Sequence, residues 1–118
     1  MTIKIASRSS KLALAQVEEF ITKYQISDYE IVKIKTMGDI KSARGETLFD
    51  KAHFVSDIQK CLLNKDADIA IHSAKDTPAK ETNGICRTFL LSKTTKDVLV
   101  FNNDTKFDAE MRLGTSSL

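Results

Sequence analysis

The sequence predicts an α/β fold, and three observations predict it. Strand-like and helix-like segments alternate along the chain, as in crossover-connected sheets. One short segment, Asp68 to His72, is apolar on both faces, as expected for a strand in the middle of a parallel sheet. The polar turn that follows it, Ser73-Ala-Lys-Asp76, lies where open α/β sheets build their sites, at the carboxyl end of a strand.

The elements follow in order. Ile3-Lys-Ile-Ala-Ser7 alternates apolar and polar residues and reads as a first strand. Arg8-Ser-Ser10 is a polar turn, with Ser9 or Ser10 as helix N-cap. Ala13, Val17, Phe20, Ile21 and Tyr24 recur at helical spacing, which predicts an amphipathic helix from about Ser10 to Tyr24. Glu30 to Thr36 is rich in β-branched residues and predicts a second strand. Met37 to Lys51 is polar without a clear period and reads as a long mobile loop, a kind of segment that is usually functional. Phe54, Ile58, Cys61 and Leu62 predict a second helix ending near Asn64 and Lys65. After the strand at Asp68 to His72, two more strands are expected at Ile85–Leu91 and Asp97–Phe101, and Asn102 to Met111 reads as a connection between domains.

With 118 residues the chain is one domain, or one domain and the start of another. A chain of this size buries roughly two-thirds of its unfolded surface, enough for a true core. The net charge is +2 and the Lys and Arg residues are dispersed, which argues against a nucleic-acid platform. Cys61 and Cys86 have no metal-type spacing, and Cys61 falls on the apolar side of its helix as a small buried hydrophobe. No signal-peptide pattern precedes Ile3 and no apolar run reaches membrane-spanning length, so a cytoplasmic protein is expected.

Four places carry candidate chemistry. Arg8 with Ser10 sits at a strand-to-helix turn, where backbone N–H groups favour anions and a guanidinium binds carboxylates as a planar fork; on spacing alone, a solvent-facing Arg beside a simple cap is the stronger alternative. Lys75 and Asp76 follow the apolar strand. Asp76 either closes an ordinary Asx turn before Pro78 or offers a carboxylate to a cation or to pyrrole-like N–H donors. Lys51 and His53 lie before the second helix, where a lysine either closes over an anion or is merely solvated. Gly114-Thr-Ser-Ser117 has the composition of an anion-binding nest. His72, inside a strand, is expected to be packed and hydrogen-bonded rather than catalytic.

Four motifs together resemble one family. Ile5-Ala-Ser-Arg-Ser-Ser-Lys-Leu-Ala-Leu-Ala-Gln16, Thr36-Met-Gly-Asp39, Ala67-Asp-Ile-Ala-Ile-His-Ser-Ala-Lys-Asp-Thr-Pro78 and Gly114-Thr-Ser-Ser-Leu118 occur in the order and spacing of porphobilinogen deaminases, also called hydroxymethylbilane synthases. The resemblance spans essentially the whole chain and the N-terminal part of the family's length. It implies a transferase of tetrapyrrole (heme) biosynthesis that joins four porphobilinogen molecules head to tail with release of ammonia, on a dipyrromethane cofactor. That cofactor is held through a cysteine of the family's third domain, a position that neither Cys61 nor Cys86 matches. By residue matching, Asp76 would be catalytic, contacting pyrrole nitrogens and supporting a cationic intermediate. Arg8 and Ser10 would bind substrate carboxylates, with Lys51 in the active-site loop. Ser73, Lys75, Thr115 and Ser117 would hold the cofactor's acetate and propionate groups.

The resemblance further implies a three-layer lobe of the type II periplasmic-binding-protein kind with a mixed sheet. Residues 1–95 would form most of a first lobe and 96–118 the crossover into a second. A truncated lobe of this kind would expose strand edges and tend to self-associate, although the family is monomeric. Without the cofactor anchor this piece alone is expected to be inactive. The sequence departs from the family at Lys11, where proline is usual, at Met37, where arginine is usual, around Lys51, where glycines are usual, and at Ser92 to Lys96, where an Arg-x-Asp-Pro-Arg run is usual. The alternative function is a non-catalytic lobe that binds small anions through Arg8, Ser10 and Lys75.

Overall fold

The structure is a computed structural model, and it describes residues 1–45, 55–77, 79–91, 100, 110, 112 and 114. Three parallel strands form a sheet in the order β2-β1-β3: β1 is Ile3–Arg8, β2 is Tyr29–Ile34 and β3 is Ile69–Ala70. Helix α1 (Lys11–Lys23) connects β1 to β2, and α2 (Met37–Ala43) and α3 (Ser56–Leu63) lie between β2 and β3. A single 3₁₀ turn, Ala74–Asp76, follows β3.

The period-two alternation of β1 sorts its side chains onto two faces. Ile5 packs with Val17 and Ile21 of α1, joined by Ile3, Ile31 and Ile71. Ala6 packs on the other face with Ile58 and Cys61 of α3, joined by Val32, Ile34 and Ala70. Two apolar clusters on opposite faces of one sheet make a three-layer α/β/α sandwich. The central strand separates them, and Ile5, Ala6, Val17 and Ile58 are wholly buried.

Helix ends are set by local chemistry. Ser10 caps α1 by accepting from the Ala13 amide at 3.2 Å. Both α1 and α3 end in a Schellman arrangement. Ile26 N donates to Ile21 O and Gln25 N to Thr22 O, and Asp66 N donates to Cys61 O and Lys65 N to Leu62 O. The turn residue in each is non-glycine in the left-handed region, Gln25 at φ 52° and Lys65 at φ 64°.

The structure corrects three expectations. Met37 to Lys51 is not simply a loop, because Met37–Ala43 is helical. Its start is a capping box: the Thr36 hydroxyl accepts from the Asp39 amide, and the Asp39 carboxylate accepts from the Thr36 amide. Asp68 to His72 contributes a two-residue strand at the edge of the described sheet rather than a longer one in its middle. Its pairing extends a little beyond the strand, since Asp68 N donates to Lys4 O and Ile71 N to Ala6 O. Ile85–Leu91 has no strand structure, and no ladder partner lies beside it among the described strands. The three described strands are all parallel, so the antiparallel member of the expected mixed sheet is not among them. Of the expected strand at Asp97–Phe101, only Val100 lies within the described residues.

Candidate functional site

The sheet order places a site. From β1 the chain passes to β2 on one side, then returns through α2 and α3 to β3 on the other. The connections after β1 and after β3 therefore diverge, and the crevice outside the carboxyl ends of these strands is the topological switch point where α/β proteins bind ligands. Residues Arg8 to Ser10 leave β1 there, and Ser73 to Asp76 arrive there after β3.

Arg8 ends β1 on the α3 side of the sheet. Its Nε lies 3.1 Å from Asp39 Oδ1, its Nη2 lies 2.5 Å from the same oxygen, and its Nη1 lies 3.8 Å from Asp76 Oδ2. All three side chains are largely buried, with exposures of 21 % for Arg8, 19 % for Asp39 and 14 % for Asp76. The guanidinium thus bridges two carboxylates, one from α2 and one from the 3₁₀ turn. Burial by itself would raise the Asp39 pKa. The hydrogen bonds from Arg8 and Thr36 outweigh it, and the carboxyl is held below its ordinary value.

The other expected residues take varied places. The Ser10 hydroxyl is engaged as the α1 cap. The Ser73 hydroxyl meets the Gln16 side-chain amide of α1 at 3.2 Å. Lys75 is exposed, on the same turn as Asp76. His72 is half-buried, with Nδ1 at 3.2 Å from Ser73 O and 3.3 Å from Thr77 Oγ1, which matches its expected packed role. Lys51, His53, Thr115 and Ser117 lie outside the described residues. Asp76 is not in an isolated Asx turn: the turn is closed by backbone bonds from Asp76 N to Ser73 O and Thr77 N to Ala74 O, and its carboxylate faces Arg8.

Ser73 and Lys75 also border a cleft of about 720 Å³ along the outer side of β3. Phe20 of α1 and its C-cap residue Tyr24 line one wall, Leu62 of α3 another, and Ile85 to Leu91 the far side. Arg8 and Asp76 do not line it, so the guanidinium–carboxylate cluster and the cleft adjoin at the Ser73–Asp76 turn without merging.

Two residues of the site are not among those that the sequence singles out as candidates. Asp39 was legible from Thr36-x-x-Asp39, a capping-box spacing that marks a helix start and holds the acid near β2's end. Gln16 gave no such signal, because its contact with Ser73 joins residues 57 positions apart. Among the described residues, no group of three or more His, Cys, Asp or Glu side chains could hold a metal, and no helix is long and apolar enough to cross a membrane.

The described fold is an open parallel α/β sheet with the Arg8–Asp39–Asp76 cluster at the carboxyl ends of its strands. A family model described as "Porphobilinogen deaminase, dipyromethane cofactor binding domain" matches residues 3–118. The porphobilinogen deaminase of Natranaerobius thermophilus is 35 % identical over 100 % of this chain and 41 % of its own length. That of Bacillus subtilis is 36 % identical over 99 % of this chain and 40 % of its own. That of Alkaliphilus metalliredigens is 45 % identical over 67 % of this chain and 27 % of its own. The chain belongs to the porphobilinogen deaminase (hydroxymethylbilane synthase) family. It spans about two-fifths of the length of the relatives that it matches from end to end.

Proposed function

We propose that this chain supplies the dipyrromethane- and substrate-binding lobe of a hydroxymethylbilane synthase, a cytoplasmic transferase that condenses four porphobilinogen molecules head to tail and releases ammonia at each step. The observation that carries this reading is the Asp76 carboxylate held against the Arg8 guanidinium at the switch point, 3.8 Å apart, on the same turn as Ser73 and Lys75. A porphobilinogen ring bears two carboxylates and a pyrrole N–H. Guanidinium, ammonium and hydroxyl donors suit the carboxylates, and an ionised acid suits the N–H.

The residues present also fit a dipyrromethane. Its acidic side chains need cationic and hydroxyl donors, which the exposed Lys75 and the half-buried Ser73 offer at one turn. Thr115 and Ser117 would add hydroxyls to the same group. When bound, the cofactor supplies the terminal pyrrole to which new units are joined. Arg8 and Ser10 would orient the incoming carboxylates, with Lys51 as a further cation for them. Asp76 accepts from the pyrrole N–H and stabilises the positive charge that develops on porphobilinogen as ammonia leaves. Preorganised charge of this kind is commonly the largest contribution to catalysis.

The finer architecture belongs to the same reading. Residues 1–95 form a first lobe of the type II periplasmic-binding kind, with 96–118 leading into a second. The cleft beside β3 supports it, because it leaves the outer edge of β3 open to a further strand. Left open, that edge would drive self-association, helped by Phe89 and Leu91, which are 68 % and 88 % exposed.

Three experiments test this. In a full-length relative carrying this lobe, Asp76→Asn should lower turnover of porphobilinogen by several orders of magnitude with the fold intact, and near-normal rates would remove Asp76 from its role. The 118-residue chain assayed alone should form no hydroxymethylbilane, since neither of its cysteines matches the cofactor anchor. Calorimetry should show tighter binding of porphobilinogen than of simple dicarboxylates; equal affinities would reduce the lobe to a general anion binder.

A further inference from the structure

Helix α2 controls how the site arginine is presented. Two nitrogens of Arg8 face α2: Nε is 3.1 Å from Asp39 Oδ1 and 3.3 Å from Oδ2, and Nη2 is 2.5 Å from Oδ1. The third nitrogen, Nη1, faces Asp76. Asp39 is itself anchored, because its Oδ2 accepts from the Thr36 hydroxyl at 2.7 Å and from the Thr36 amide at 3.2 Å. Thr36 is wholly buried at the end of β2. A chain of contacts therefore runs Thr36 to Asp39 to Arg8 to Asp76, and only its last two members meet the proposed substrate.

A guanidinium is a planar fork. Fixing two of its nitrogens fixes the direction of the third. An arginine at the end of a strand, without such a hold, samples many rotamers and loses affinity when a ligand immobilises it. We propose that Asp39 is a positioning residue: it sets the plane of the Arg8 guanidinium so that the Nη1 edge faces Asp76 and the carboxylate of an arriving acidic ligand. The nature of that ligand rests on the function proposed above; the hold on Arg8 does not. A ligand carboxylate that approached the Nε edge would have to displace Asp39. The site therefore favours ligands that meet Arg8 from the Asp76 side, which is a constraint on the orientation of the bound ring.

The test separates the two parts. In ¹⁵N-labelled 118-residue chain, an arginine gripped by two nitrogens rotates slowly about Cζ–Nε and shows separate Nη signals. Asp39→Asn should merge the Arg8 Nη signals at a temperature where the unmodified chain keeps them apart. Thr36→Val, which keeps the carboxylate but removes its hydroxyl anchor, should lower the temperature at which they merge by less than Asp39→Asn does. Should Asp39→Asn fail to fold, Asp39→Glu decides the matter: it retains charge and cap, and should preserve separate Nη signals while shifting the Arg8 Nε resonance. Arg8 signals unchanged in Asp39→Asn, or an unmoved Nε in Asp39→Glu, overturn the proposal. Porphobilinogen titrated by calorimetry should bind Asp39→Asn on the order of tenfold more weakly, the scale of a lost hydrogen bond to a charged group, whereas in an Arg8→Lys background Asp39→Asn should add little further loss. Additive losses would overturn the claim that Asp39 acts through Arg8. If the unmodified chain binds no porphobilinogen while its Nη signals respond as stated, the hold on Arg8 stands and the substrate reading falls.

Discussion

The central strand is built differently on its two sides. β1 pairs with β2 along six residues, from Ile3 with Tyr29 to Arg8 with Ile34. It pairs with β3 along two, Ile5 with Ile69 and Ala6 with Ala70. Beyond β3 lies a cleft rather than another described strand. The β2 side brings Arg8 and, through α2, Asp39; the β3 side brings Ser73, Lys75 and Asp76. The site thus joins a firmly laddered half to a lightly laddered one. Short pairings with exposed backbone open at lower free energy than long buried ones. The arginine is therefore expected to be the steady member of the Arg8–Asp76 pair, and the turn carrying Asp76 the adaptable one.

The largest expected effect tests that asymmetry directly. Ile5→Ala, in the wholly buried centre of β1, should cost about 2–5 kcal/mol in urea unfolding. Ile69→Ala, half-buried on β3, should cost less than half as much. Equal losses would show that both sides contribute alike. Next comes Thr36→Ala, which removes a buried helix cap and should cost about 1–2 kcal/mol by the same measurement. A change of only a few tenths would mean that α2 is held by other contacts.

The acid limb of stability sharpens the comparison further. Asp39 has its native pKa below the ordinary value of 3.8, so near that pH the unfolded chain binds more protons than the native one. Its contribution is complete above the ordinary value and fades as pH falls through the lower native one. Asp39→Asn should therefore flatten the loss of stability on acidification from about pH 5 downward, as followed by circular dichroism. An unchanged slope would place the acid-sensitive groups elsewhere. The smallest effect is expected at Gln25, whose φ of 52° is a left-handed conformation that glycine adopts without strain. Gln25→Gly should change stability by no more than about 1 kcal/mol, in the stabilising direction; a clear loss would show that the Gln25 side chain makes contacts that matter more than backbone strain.

Much of this arrangement was legible along the chain. Alternation in Ile3 to Ser7 and helical spacing from Ala13 to Tyr24 placed β1 and α1, because each pattern reports directly which face is buried. Ser10 was legible as a cap for the same local reason. Helix α2 was hidden by a polar composition, and its one clear mark was the Thr36-x-x-Asp39 box. Ile85 to Leu91 has strand-like composition without strand structure, since composition names a candidate and a ladder needs a neighbour.

Local pattern by itself determined the α/β class, the two faces of β1, the placing of Arg8, Ser73, Lys75 and Asp76 at strand ends, and the family resemblance carried by four motifs. These are properties of neighbours within a few positions, where side-chain period and turn chemistry act. Tertiary structure alone decided that Arg8 stands between Asp39 and Asp76, that Gln16 reaches Ser73, and that β3 borders a cleft. Arg8 and Asp39 are 31 positions apart, and Gln16 and Ser73 are 57 apart. No local preference encodes such distances, and only the packing of helices on both faces of the sheet closes them.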